Sequence, residues 1–356
     1  MTNEFELKQK KIEEALAKAL PLPAEISKQW QDNSFGKLAS AITENPVFIQ
    51  KLIEPDQALI SLGGKRWRPL FLVLCYEMAK ALSAQNSERA LDEQTAYSLT
   101  QLVEFVHTAS LIHDDIEDSA DLRRGKPAAH ITYGLDTALN SASWLYFEAP
   151  VCLDNSNLSE SQKLIFYKLY TNELRRLHLG QAMDIYWHRE KEIFPSMDEY
   201  RAMVRSKTGT LASLAAQIGF IAGGATEQQA AEYGQIAAEI GVGFQIIDDV
   251  INLTKGNPGK KRGDDIVEGK KSLPVLIHVQ ERPQDKEKIC ALMNQAAKEG
   301  IDSPAVEECI TLLNTTDCIK AAAREGKELI TQNCAKFQQA PLITKLFSAM
   351  IPEDYR

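Results

Sequence analysis

The sequence predicts an all-α protein, read as a single domain over residues 1–356, and three observations carry that reading. Almost every segment between glycine and proline breakers places its apolar residues at helical spacing. No alternating strand pattern and no hairpin signal is convincing anywhere along the chain. The composition, 44% hydrophobic and 25% charged, is that of an ordinary globular chain able to bury a core.

The elements follow in order. Residues 4–20 form a first helix that ends near Pro21 and Pro23, and a short second helix is predicted over Ser34 to Glu44, ahead of Pro46. Beyond Pro55 and Asp56 comes Gly63-Gly64-Lys65-Arg66-Trp67-Arg68-Pro69, where Pro69 suits the first turn of a helix reaching about Leu82. Asp92 caps the next helix, whose apolar positions Leu99, Val103, Val106, Leu111 and Ile112 lead into the acidic group Asp114, Asp115, Glu117 and Asp118. The run DTALNSASWLYFEAPVCL makes another helix, with Trp144, Tyr146 and Phe147 as an aromatic stripe of the kind that usually packs a core. Residues 159–188 read as one long helix in which Gln181 and Asp184 interrupt an apolar stretch. Ser196 to Asp198 starts a helix whose apolar face is broken by Lys207-Thr208-Gly209, and Thr226 opens one that ends at Asp248-Asp249. A long glycine-rich loop then carries Lys255, Lys260, Lys261, Arg262, Lys270 and Lys271, a composition suited to a flap over an anionic ligand, although a merely solvated loop has the same look. From Leu273 onward the chain is amphipathic helix, read as packing.

Several classes of function are excluded early. A net charge of −9 and the lack of a basic stripe with interleaved aromatics argue against a nucleic-acid partner. The first twenty residues are charged and carry no apolar core of signal-peptide length, and the longest apolar run, Leu70 to Cys75, is too short to span a bilayer. The six cysteines, at 75, 152, 290, 309, 318 and 334, have no CxxC spacing and read as free thiols, mostly buried. A reduced, cytoplasmic setting is the expectation.

The chemistry lies in the charged clusters. At helical spacing Asp114 and Asp118 share a face one turn apart, with Asp115 beside them. Carboxylates so close repel one another unless a cation is held between them, and hard oxygen ligands suit Mg²⁺, which commonly brings phosphate. An acidic helix end is often no more than a solvated face. The second pair, Asp248-Asp249 in GFQIIDDVINL, tips the balance toward two walls of a metal-filled cleft holding a diphosphate. Asn252 stands where Asp118 stands in the first cluster and is left out of the metal site, since a neutral amide attracts a cation weakly. In GGKRWRP three cations precede a helix N-terminus, an unfavourable arrangement unless an anion such as phosphate sits there. A lysine at 207 in an apolar helix likewise points to an anion.

With these residues in view, the chain resembles the trans-isoprenyl diphosphate synthases of the polyprenyl synthetase family, from about Leu62 to Leu276. GGKRWRP, HTASLIHDDIEDSADLRRGKPAAH, LGQAMDIYW, KTG, FQIIDD and GKKRGDDIVEGKKSLP occur in the family's order, and DDIED with LRRG and NSASWLYF lean toward its geranylgeranyl-type members. The resemblance implies a helical barrel around a deep apolar cavity (the isoprenoid synthase type I fold), usually as a homodimer. It also implies the reaction, in which an allylic diphosphate ionises, isopentenyl diphosphate attacks the cation, and a proton is lost. On this reading Asp114 and Asp118 ligate two Mg²⁺ with Asp115 in support, and Asp248 ligates a third, Mn²⁺ being a possible substitute. Asp249 and Asp184 hold metal-bound waters. Arg123, Lys207 and Lys260 grip the allylic diphosphate. Lys65, Arg68, His107 and Arg124 hold that of isopentenyl diphosphate, and Thr208 and Gln245 face the developing cation.

Product length follows the same logic. Short-chain members block the growing tail with an aromatic four or five residues before the first aspartate; here Ser110 and Ala109 stand there, both small. Tyr146 and Phe147, with Val106, become the candidate floor, and the expected product has twenty carbons, with longer polyprenyl diphosphates as the alternative. Two rivals use parts of the same pattern. A class I terpene cyclase would leave GGKRWRP without a role, and a non-catalytic regulatory subunit would have lost aspartates that this chain keeps.

Overall fold

The computed structural model describes residues 3–82, 89–256 and 261–355. It consists of two compact units, Met1–Asn172 with Leu214–Tyr233, and Glu173–Ser213 with Gly234–Arg356.

The first unit holds α1 (Asn3–Ala19), α2 (Lys28–Phe35), α3 (Ser40–Thr43), α4 (Val47–Ser61), α5 (Trp67–Leu82), α6 (Glu93–Ser98), α7 (Gln101–Glu117), a hairpin of β1 (Leu122–Arg123) and β2 (Lys126–Pro127), α8 (Ala129–Tyr133), α9 (Leu135–Glu148) and α10 (Val151–Asp154). α1 is amphipathic and buries Phe5, Ile12 and Leu16, each contributing about 1.5–3 kcal/mol through apolar area removed from water. It packs on α5 and α6, while α7 packs on α5 and α9. α7 offers Leu102, Val103, Phe105, Val106, Ala109 and Ile112 to the interior, which leaves its C-terminal turn to carry the acidic cluster.

α11 (Glu160–Arg189), α13 (Thr210–Ala222) and α14 (Glu227–Thr254) contribute residues to both units. The second unit adds α12 (Met197–Val204), α15 (Asp264–Glu268), α16 (Leu273–Glu281), α17 (Lys286–Glu299), α18 (Pro304–Leu313), α19 (Cys318–Cys334) and α20 (Pro341–Ser348). Tyr200, Val204, Val242, Ile246, Val250, Leu273 and Ile310 belong to its core.

The all-α expectation holds, and several element boundaries move. The single helix expected over Ser34 to Glu44 is split: α2, capped by Ser27 accepting from the Trp30 N–H, ends at Gly36 with its φ of 70°, and α3 covers only Ser40–Thr43. The Asp92 cap is real, but the helix behind it is broken at Leu99 and Thr100 into α6 and α7. The stretch after the acidic cluster, expected to lack strands, forms a two-residue hairpin because Arg124 and Gly125 both take positive φ. α14 runs on past Asp248 and Asp249 to Thr254, so the second pair sits inside a helix. The polar loop after it contains α15. The cysteines are free, and all but the half-buried Cys290 are buried.

Candidate active site

In the first unit, Asp114 and Asp118 stand one turn apart at the C-terminal end of α7, both half-buried. Asp115 between them is 1% exposed and accepts from Arg123, whose Nε donates at 2.8 Å and whose Nη2 makes a second bond. The same Nη2 lies 3.6 Å from Asp114 Oδ2. Asp115 thus fixes a guanidinium beside the two outer carboxylates, a cation and an oxygen pair locked in one place.

The GGKRWRP segment collects the other cations of this unit. Lys65 is exposed and Arg68 half-buried; the Arg68 guanidinium lies 4.4 Å from the Trp67 ring centroid, and its Nη1 lies 3.3 Å from His107 Nε2. Arginine has only donors, so His107 Nε2 is the lone-pair nitrogen. Burial, Arg68 and Arg124 together hold the imidazole well below its usual pKa, so His107 is neutral. Arg124 Nη1 donates to the carbonyls of Gly63 and Leu59, and a Cβ on Gly64 would stand 3.2 Å from its Nη2. Glycine at 64 therefore lets this guanidinium lie against the turn.

In the second unit the interruption at Lys207 is a π-helical turn, Arg205–Gly209, between α12 and α13. A wide turn inside a helix re-aims its side chains and is common at functional sites. Lys207 Nζ donates to Asp184 Oδ2 at 2.6 Å, and His188 Nε2 lies 3.1 Å from Asp184 Oδ1. Burial alone would raise Asp184; the Lys207 ammonium and His188 outweigh it and hold the carboxyl well below the usual range. The turn next to Lys207 begins a chain of hydrogen bonds. Thr208 Oγ1 donates to Gln245 Oε1 at 2.9 Å, Gln245 Nε2 to Asp249 Oδ1 at 3.1 Å, and Tyr200 Oη to Asp249 Oδ2 at 2.5 Å. Burial, with Asp248 adjacent, pushes Asp249 up to about 6 against the pull of those two donors. Asp248 is half-buried beside it.

The basic loop is more engaged than its composition suggested. Lys261 pairs with Asp302, Lys255 with Asp354 and Lys270 with Glu268. Lys271 is buried, donates to the carbonyls of Trp187 and Gly269, and is lowered by burial to about 8. Lys260 lies outside the described residues. Asn252 holds the chain together locally, since its Oδ1 accepts from the Asp265 N–H at 3.3 Å and its carbonyl from the Gly263 N–H, tying α14 to the start of α15.

The candidate floor residues separate. Tyr146 is buried and stacks on His113 with ring centroids 5.5 Å apart, whereas Phe147 is 78% exposed. Adjacent residues on a helix diverge by about 100°, so the two rings cannot share a face. Ala109 is buried, and half-buried Ser110 donates to the His107 carbonyl. Tyr200 and His188 were missed from sequence; the only available signal was an ionisable residue on an otherwise apolar helix.

Among the described residues, no three His, Cys, Asp or Glu side chains gather as a metal centre. Mg²⁺ commonly keeps waters and substrate phosphates as ligands and needs only one or two carboxylates. The donor set of Asp114 and Asp118, all oxygen, fits such an ion.

A family model described as polyprenyl synthetase matches residues 49–312. Geranylgeranyl pyrophosphate synthase 2 of Zymoseptoria tritici is 36% identical over 235 residues, 63% of this chain and 67% of its own. A geranylgeranyl pyrophosphate synthase of Apiospora sacchari is 30% identical over 311 residues, 87% of this chain and 86% of its own. Among solved structures, a geranylgeranyl pyrophosphate synthetase from Pyrococcus horikoshii superposes with a TM-score of 0.78 at 25% identity, covering 98% of this chain and 97% of that one. A heptaprenyl diphosphate synthase from Staphylococcus aureus shares the fold at 24% identity, TM-score 0.71 and 97% coverage of each chain.

Proposed function

The chain belongs to the polyprenyl synthetase family and is a prenyltransferase with the all-α isoprenoid synthase fold, and from that premise we propose that it condenses isopentenyl diphosphate with an allylic diphosphate to give geranylgeranyl diphosphate. The observation that carries this reading is the arrangement at the end of α7, where Asp114 and Asp118 stand one turn apart beside Arg123, which Asp115 holds in place. The names of the relatives support the twenty-carbon product, as does the small pair Ala109 and Ser110.

The family uses divalent metal ions. Asp114 and Asp118 would hold two, and Asp248 a third; bound there, Mg²⁺ supplies positive charge against the departing diphosphate. The chain's own residues do the rest. Arg123 and Lys207 are preplaced, each against a buried carboxylate, so they meet the negative charge of the leaving group without reorganising. Lys260 would join them on the allylic diphosphate, and Asp184 and Asp249 would orient water held by such an ion. Lys65, Arg68 and Arg124 bind the diphosphate of isopentenyl diphosphate, with neutral His107 turning Arg68. Thr208 donates its hydroxyl hydrogen bond to Gln245 and so turns its lone pairs toward the developing allylic cation. Tyr146 is the floor that stops the tail. Exposed Leu135, Leu139 and Phe147 on α9 support a homodimer, to be checked by sedimentation.

Release of pyrophosphate tests the reading. It should require both the allylic substrate and isopentenyl diphosphate. Release from the allylic substrate alone would mark a cyclase, and none from the pair a regulatory subunit.

A further inference from the structure

α1 lies outside residues 49–312 of the family match, yet its side chains reach the segment that follows Gly63. Arg66, the middle cation of that segment, is 4% exposed and sits at φ 45°, in the left-handed region. A non-glycine residue is strained there and stays only if its surroundings over-determine it. Here they do. Arg66 Nε donates to Glu13 Oε1 of α1 at 2.7 Å, Nη1 to Glu104 Oε1 of α7 at 2.5 Å, and Nη2 to the Ile60 carbonyl at 2.6 Å. One turn earlier on α1, Gln9 Nε2 donates to the Lys65 carbonyl at 3.3 Å. α1 is itself docked by Ile12 and Leu16 and by the pairs Lys8–Glu77 and Lys11–Glu93.

Arg66 is therefore committed inside the protein, while Lys65 is exposed and Arg68 half-buried on either side of it. A buried guanidinium needs its donors met, and removing one partner of such a pair is strongly unfavourable. Glu13, 48% exposed at its side chain, is the partner that reaches in from the N-terminal helix.

We propose that Glu13, assisted by Gln9, is a positioning residue for isopentenyl diphosphate: it pins Arg66 and so fixes the backbone from which Lys65 and Arg68 reach the diphosphate. The proposal rests on the assignment of Lys65 and Arg68 made above. Glu13 touches no substrate. Its effect belongs to one of the two substrates only.

Steady-state kinetics on the full chain test it. Glu13→Ala should raise KM for isopentenyl diphosphate roughly tenfold, the size of one hydrogen bond to a charged group, with kcat and the KM for the allylic diphosphate within about twofold. Glu13→Gln keeps an oxygen facing Arg66 and should recover most of the loss. Lys11→Ala, which breaks another α1 contact, should change neither KM. If Glu13→Ala does not fold, Gln9→Ala should give a smaller rise confined to the same KM. An unchanged KM for isopentenyl diphosphate in Glu13→Ala, while Lys65→Ala and Arg68→Ala raise it, overturns this proposal alone. Unchanged values in all three variants overturn the assignment of the segment and the proposal with it. Equal losses for both substrates would mark a general structural role and also overturn it.

Discussion

Asp56 is the clearest case of a side chain whose protonation is set by the fold. It is fully buried on α4, and Ser141 Oγ donates to its Oδ2 at 2.7 Å. Burial raises the carboxyl from its ordinary 3.8 to about 8. The folded state therefore prefers the neutral acid, so this contribution to stability is complete below about pH 4 and is lost as pH rises through about 8. Across that window stability should fall by up to about 1.4 kcal/mol per pH unit. Asp56→Asn keeps an acceptor for Ser141 and should reduce the dependence, leaving the contribution of Glu148, which burial raises to about 7 and which acts over a narrower pH window. Denaturant midpoints at pH 5 and pH 8 check this; an equal pH slope in parent and variant would assign it elsewhere. At this scale the sequence yields residue types and little about partners. Asp115, Arg123 and Lys207 are legible as candidates because each is a charged residue in or beside an apolar helical run. The pairing of Lys207 with Asp184, and Tyr200 at the end of the Gln245 chain, were not legible, because these contacts join different helices and no local spacing encodes them.

At the scale of elements, the π-turn at Arg205–Gly209 depends on a close approach from α11. A Cβ at Gly180 would lie 2.4 Å from Lys207 N and 2.8 Å from Ser206 C, against backbone that cannot swing aside. Gly180→Ala should therefore cost about 1–3 kcal/mol of stability as an overpacking change. Because the displaced atoms belong to Lys207 itself, kcat should fall at least tenfold under conditions where the variant is fully folded, a rise of at least about 1.4 kcal/mol in the barrier. Near-parental kcat would mean that the turn tolerates displacement. Long helices were legible here: Glu160–Arg189 differs from the expected 159–188 by one residue at each end. Short ones were not. The helix expected over Ser34 to Glu44 is instead the end of α2 and the four-residue α3, because a Ser27 cap and the positive φ of Gly36 outweigh a weak apolar period. The hairpin at Leu122 to Pro127 is not legible, since two-residue strands carry no alternation to read.

For the whole molecule, the family and its fold follow from motif order, which is written directly in the sequence, whereas product length depends on where side chains point. Phe147 illustrates the difference: beside Tyr146 in sequence, it is exposed while Tyr146 is buried. Among the described residues, no helix is long and apolar enough to cross a membrane. The measurement that bears most directly on the proposed reaction is the size of the product. Purified protein would be given Mg²⁺, isopentenyl diphosphate and, in turn, dimethylallyl, geranyl and farnesyl diphosphate, and the dephosphorylated products sized, alongside Tyr146→Ala. A single twenty-carbon alcohol from the parent, with longer chains from Tyr146→Ala, is the result expected. A ladder to thirty carbons or more from the parent would contradict the assigned product, and no elongation from any primer would contradict the assigned reaction.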